Sequence, residues 1–256
     1  MSARVAWISV CPVKGLALRQ VDHCELTEAG VTGDRAFFLI DENDRLVNSK
    51  GLGILQQVVP RYDDAAGLLT LTFPDGTTVS QPLDFDGELE ARFWGTVLAV
   101  RIVDGPWSEA ISDLAGRNLR LVRAPAPATD RLRGGAATLL GTGSLAALAR
   151  SLGVDHVDGR RFRMTFGIDG LGEHEEDEWL GLRVQLGEAV VVPQGNVGRC
   201  AVTTQNPDSG APDLDTLKAL AAYRGDVQTT EPLPFGVHVA VAQPGRVRVG
   251  DPVALI

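Results

Sequence analysis

Glycine and proline interrupt this chain so often, 29 and 14 times in 256 residues, that its apolar runs are cut into short pieces. Most of those pieces carry β-branched and aromatic residues and end in turn formers such as Pro74–Asp75–Gly76, the pattern of short strands. Expected strands are Val5–Val10, Ala36–Asp41, Leu68–Phe73, Val97–Val103, Leu119–Arg123, Leu182–Leu186, Ala189–Val192, Ala201–Thr204, Gly236–Ala242 and Val247–Val249. Three segments have helical spacing instead. Trp107, Ile111 and Leu114 form a stripe that stops at Gly116; Leu145, Leu148 and Leu152 form another, with Ser144 as N-cap and Gly153 as stop; Leu214, Leu217 and Leu220 form a third, after Pro212 and before Gly225. The expected fold is therefore mainly β (α+β), with barrel-like sheets and a few short helices, not a doubly wound sheet. The alternating prolines of Ala124–Ala128 read as a linker, dividing the chain into residues 1–123 and 129–256.

Charge and cysteine usage narrow the function classes. A net charge of −9 disfavours general binding to nucleic acid or anionic membrane. There is no run of 18 apolar residues and no cleavable signal pattern at the start, so a cytoplasmic protein is expected. Cys11, Cys24 and Cys200 are irregularly spaced, with no CxxC or HExxH pattern. A disulfide framework or an iron–sulfur site is not expected. Arginine, with its bidentate fork, supplies all but Lys14, Lys50 and Lys218 of the 24 basic residues.

Several local features bear chemistry, each with a bland counterpart. "GTGSLA" at Gly141–Ala146 has the GxGxxA form of a dinucleotide turn, although nothing around it alternates strand and helix; glycines at a strand-to-helix turn explain it equally. "GEHEEDEW" gathers five acids and His174; it reads as a solvated acidic loop, with cation binding the other possibility and Trp179 returning it to the core. In "NVGRCAVTT", Cys200 follows Arg199, which favours a thiolate, and Gly195 and Gly198 allow close approach of a ligand. Core thiol and functional thiol both remain open on these residues alone. Arg35 opens a strand after a turn, and strand alternation places Arg161 and Arg163 on one side, which calls for an anion between them or a solvated edge.

Taken in order, "CPVKG", "GDRAFFLIDENDRLV", "GSLAAL", "RRFRMTFGI", "EEDEWLG", "GRCAVTTQNPDSG" and "FGVHVAVAQPGRVRVGDPV" resemble the MOSC family, in its form with an N-terminal β-barrel domain. The resemblance spans nearly the whole chain. It implies a molybdenum pyranopterin cofactor with Cys200 as the metal ligand, held by Lys14, Arg35, Arg163, Thr165 and Arg199. The implied reaction is reduction of an N-hydroxylated, amidoxime-type substrate, with His238 as proton donor or substrate contact. Electrons would come from a separate reductase or small redox carrier. Where the family has other residues, this chain has Gly15, Gly134, Gly135, Thr165, Asn206 and His238. A different class of reading is a cofactor or sulfur carrier without catalysis. A third is a barrel for another phosphorylated ligand, or a metal-free cysteine enzyme.

Overall fold

The structure, a computed structural model, describes residues 2–130, 135–229 and 231–256. Most of the expected strands form, often longer than their apolar runs; Ala189–Gly198 and Pro234–Gln243 each extend to ten residues. One expected strand does not form. Ala201–Thr204 is a 3-10 turn, because the Thr203 and Thr204 hydroxyls donate back to the Cys200 and Ala201 carbonyls (3.1 and 2.8 Å). A similar local bond overturns the strand alternation at Arg161 and Arg163. The Asp158 carboxylate accepts from the Arg160 N–H at 2.8 Å and starts a 3-10 helix, Gly159–Phe162; the strand begins only at Phe166.

The helices are Trp107–Ala115, Thr142–Leu152 and Thr216–Arg224. Gly116 and Gly153 end the first two in left-handed conformations (φ +64° and +69°). Ser144 is not an N-cap. It lies inside its helix and donates to the buried Glu176 carboxylate (2.7 Å), which also accepts from the Gly141 N–H (3.2 Å). The acidic segment is thus not a solvated loop. Glu175–Trp179 is a 3-10 turn against this helix start, Glu176 and Trp179 are buried, and Glu176 sits where a dinucleotide phosphate would be held.

Strands pair into four sheets among the described residues, giving the mainly β fold with few helices that the sequence predicts; the sheets are open and not closed barrels. The largest runs Val253–Leu255, Val184–Leu186, Ala189–Gly198, Pro234–Gln243, Ala137–Gly141, Phe166–Asp169, Arg4–Val10, Arg19–Val21. Only its Ala137–Gly141 and Phe166–Asp169 pair is parallel. A five-stranded sheet, Asp84–Phe93, Thr96–Asp104, Arg120–Arg123, Phe37–Ile40, Leu46–Val47, shares a core with a three-stranded one built on Leu68–Thr72. The Ala124–Ala128 segment carries no regular structure, but the sheets do not divide there. Arg4–Val10 and His23–Thr27 pack Val5, Ile8, Cys24 and Leu26 into the same core as Val184, Val191, Val237 and Val247. No helix among the described residues is long and apolar enough to cross a membrane.

Two features of this fold carry measurable consequences. The loop after Cys200 docks on residues 49–57: Gln205 accepts from Gln56 (2.8 Å) and donates to the Ser49 carbonyl (2.9 Å), and the Gly53 and Gly210 backbones touch. A Cβ on Gly210, already at φ +73°, would collide with the Gly53 carbonyl. Gly210→Ala is expected to destabilise the fold by about 2 kcal/mol or more, read from denaturant midpoints. Behind the acidic turn, the His174 ring packs on Tyr223 and Phe235, and neither ring nitrogen has a hydrogen-bond partner. Burial, with Arg224 nearby, pushes His174 down to about 4. The folded state then refuses a proton that the unfolded chain takes up below pH 6.5, so stability falls as pH drops from 6.5 to 4. Glu176, raised by burial, works in the opposite sense. Relative to wild type, His174→Phe is expected to gain stability progressively across that window, in thermal denaturation at stepped pH.

Candidate functional site

One end of the large sheet gathers the chemistry. Arg4–Val10 pairs antiparallel with Phe166–Asp169, with Ile8 opposite Phe166, so the segment after Val10 and the segment before Phe166 emerge together. Ala137–Gly141 starts at the same level, with Leu139 beside Phe166. His238 lies opposite Thr138 on one side and Gly195 on the other, and Cys200 follows where Ala189–Gly198 ends. These ends surround a cavity of about 170 Å³. The residues that the resemblance assigns to cofactor, metal or substrate all line it: Lys14, Arg35, Arg163, Thr165, Arg199, Cys200 and His238.

The four cations are held in different ways. Lys14 is 7% exposed and donates to Asp130 at 2.6 Å; burial pushes its ammonium pKa down, with Asp130 opposing. Arg35 is paired with Asp34, whose other oxygen accepts from the Cys11 N–H at 2.6 Å. Arg163 and Arg199 have no carboxylate partner among the described residues. Arg163 stands in a left-handed conformation (φ +53°) and donates to the Leu16 carbonyl (2.7 Å) and the Cys11 sulfur (3.1 Å). Arg199 donates through Nε to the Phe235 carbonyl (2.9 Å), through Nη1 to the Phe162 carbonyl (3.0 Å) and through Nη2 to the Met164 sulfur (3.0 Å). Burial among these neutral acceptors pushes Arg199 down to about 9. A cavity with two guanidinium groups uncompensated by carboxylate is matched to an anionic guest.

Cys200 is exposed, whereas Cys11 and Cys24 are buried. Burial raises both of those thiols, Cys24 to about 12, which makes them poor nucleophiles and poor ligands. Cys200 sits in extended conformation at the start of the Ala201–Thr204 turn, at the cavity wall. Thr165 is buried, and its hydroxyl lies 3.2 Å from that of Thr138, joining the starts of the parallel strands. His238 is half-buried with its ring over Gly195, where a Cβ would lie 2.9 Å from Nε2. Glycine at 195 is thus what lets the imidazole fit.

Two of the residues noted as departures from the family resemblance, Gly15 and Asn206, have structural reasons. Gly15 has φ +91°, and a Cβ there would meet the Asn48 backbone at 3.0 Å. Asn206 builds the turn after Cys200: its side chain accepts from the Asp208 N–H (2.9 Å) and donates to Asp213 (2.9 Å). Gly135 lines the cavity, and Gly134 lies outside the described residues. Arg161 also lines the cavity, but its guanidinium is held bidentately by Asp213 (2.6 and 2.9 Å), so it tethers the turn. Sequence reasoning missed Asp34 and Asp130, the carboxylates paired with Arg35 and Lys14. The Asp34–Arg35 adjacency was the available signal for the first; Asp130 gives none.

Comparison with known proteins identifies the family of the chain. The MOSC domain model matches residues 126–254, and that of the MOSC N-terminal beta barrel domain matches residues 2–104. Mitochondrial amidoxime-reducing component 1 of Mus musculus is 35% identical over 106 residues, covering 39% of this chain and 31% of its own. Mitochondrial amidoxime reducing component 2 of Homo sapiens is 36% identical over 105 residues, covering 36% and 29%. Molybdenum cofactor sulfurase 2 of Aedes aegypti is 25% identical over 233 residues, covering 86% and 28%. The chain thus spans less than a third of the length of these relatives. In fold it is similar to the crystal structure of the YUAD protein from Bacillus subtilis, with a TM-score of 0.50 and 13% identity over 99% of this chain and 94% of that one. The chain belongs to the MOSC domain family, a family associated with the molybdenum cofactor.

Proposed function

We propose that the cavity binds a molybdenum pyranopterin cofactor and that the chain is an oxidoreductase reducing N-hydroxylated substrates of the amidoxime type. The observation that carries this reading is the single cavity in which an exposed thiol meets two guanidinium groups lacking carboxylate partners. The donor set fits such a group: thiolate is a soft metal ligand, and charge-assisted donors suit a phosphate. Cys200 would be the protein ligand to the metal. Lys14, Arg35 and Arg163 would hold the phosphate and pterin, Thr165 would line the pterin side, and Arg199 would stand beside the thiolate. When bound, the cofactor supplies the two electrons and the oxygen acceptor for reduction to the amine or amidine.

The residues of this chain do the rest. The guanidinium groups of Arg163 and Arg199 are fixed by backbone carbonyls before any ligand arrives, so little reorganisation opposes binding. His238 would give a proton to the departing oxygen or nitrogen, or contact the substrate directly. Electrons would reach the site from a separate reductase or small redox carrier. Three unpaired cysteines are in keeping with a cytoplasmic setting. A second reading, a cofactor or sulfur carrier without reductase activity, is favoured by the exposure of Cys200 and by the sulfurase relative.

Metal analysis of protein made in a host competent in the cofactor tests the reading. Near-stoichiometric molybdenum is expected, lost in Cys200→Ser; protein free of molybdenum and pterin would overturn it. Arg163→Ala is expected to lower pterin retention several-fold while the thermal midpoint stays near wild type. With metal bound, turnover of a benzamidoxime-type substrate by an artificial electron donor separates reductase from carrier. Failure across a panel of N-hydroxylated compounds, with the metal shown to cycle, would favour the carrier.

A further inference from the structure

The tip of the Asp84–Phe93 and Thr96–Asp104 hairpin carries an unexplained tryptophan. Phe93 pairs with Thr96, leaving Trp94–Gly95 as a two-residue turn. Trp94 has φ +53°, a conformation that such turns usually give to glycine, asparagine or aspartate. It is also 53% exposed, although a tryptophan is among the most favourable side chains to bury. Below it Phe93 is buried against Phe38, with the Lys14 ammonium over its ring at 5.4 Å. The strained turn therefore sets the indole beside Lys14. There the indole Nε1 donates to Asp130 Oδ1 at 3.1 Å, the same oxygen that accepts from Lys14 Nζ at 2.6 Å.

One anionic oxygen is thus clamped between an ammonium and an indole N–H at the cavity rim. We propose that Lys14 and Trp94 form an oxyanion subsite that takes a phosphate oxygen of the bound ligand, and that Asp130 fills the subsite until that ligand arrives. The two ends of the pair differ in freedom. The Lys14 side chain is 9% exposed and anchored over Phe93, whereas that of Asp130 is 73% exposed, so the carboxylate can turn into water while the ammonium stays. A phosphate oxygen repeats the charge and the two hydrogen bonds of the carboxylate it displaces. A neutral guest cannot, because it would leave Lys14 buried and unpaired. The subsite deepens the function proposed above, but rests only on the cavity taking a phosphate and not on the metal.

Inorganic phosphate titrated into the metal-free chain, with chloride matching ionic strength, tests the subsite by calorimetry and tryptophan fluorescence. Asp130→Asn is expected to bind about tenfold more tightly than wild type, since no charge pair is broken on binding. Glu88→Gln, the same charge change on the exposed part of the hairpin, is expected to leave affinity unchanged. Trp94→Phe is expected to bind about fivefold more weakly and to lose the fluorescence response, and Lys14→Met to lose binding. Thermal midpoints check that each variant is folded. No phosphate binding to wild type, no gain in Asp130→Asn beyond that in Glu88→Gln, or full affinity in Trp94→Phe would overturn the proposal. The two readings fail separately: phosphate titrations with the shifts above, from a chain that takes up no molybdenum in the competent host, would leave the subsite standing and overturn only the cofactor reading.

Discussion

Five cationic side chains around one cavity repel one another, and much of the surrounding structure is arranged to hold them there. Three, Lys14, Arg35 and Arg161, are neutralised by carboxylates. The other two are neutralised only in part, by carbonyl and sulfur dipoles from Leu16, Phe162, Phe235, Cys11 and Met164. Dipoles orient a guanidinium without cancelling its charge. The positive potential of the cavity is therefore retained in a chain whose net charge is −9. Acidity over the rest of the surface disfavours general contact with polyanions, while the cavity keeps a positive potential of its own.

The carbonyls that do this work come from the ends of two regular elements and from a loop. Phe162 ends a 3-10 helix and Phe235 lies at the start of its strand, while Leu16 is in the loop after Arg4–Val10. Arg35 and Arg163 both take left-handed conformations, at φ +51° and +53°. Strain of this kind is tolerated where packing over-determines it. Here the Arg35 guanidinium donates to the Arg163 carbonyl at 3.0 Å, so each strained residue helps to fix the other.

Much of the fold was legible in the sequence, because β-branched runs and glycine stops are local signals. The helix ends at Gly116 and Gly153 and the strands at Val5, Leu68 and Gly236 needed nothing beyond them. The failures came where a side chain bonded to nearby backbone. Thr203 and Thr204 turned an apparent strand into a 3-10 turn, and Asp158 did the same before Arg161. Glu176 could not be read as buried, since its partners at Gly141 and Ser144 lie some thirty residues away. Of the site, the cations and Cys200 stood out by residue type and motif. Asp130 and Trp94 did not, because neither is marked by spacing and their contact is made only when the hairpin tip reaches the linker.

The strand Arg4–Val10 is synthesised well before its partner Phe166–Asp169, which comes from the far side of the Ala124–Ala128 segment. On the ribosome its apolar face, Val5, Ile8 and Val10, must wait while the whole Phe37–Arg123 region emerges and can fold. The cavity is assembled at the same late moment, since Lys14 trails that strand and Arg163 precedes its partner. A nascent chain of this design holds no cationic pocket until the Phe166–Asp169 strand has closed on Arg4–Val10.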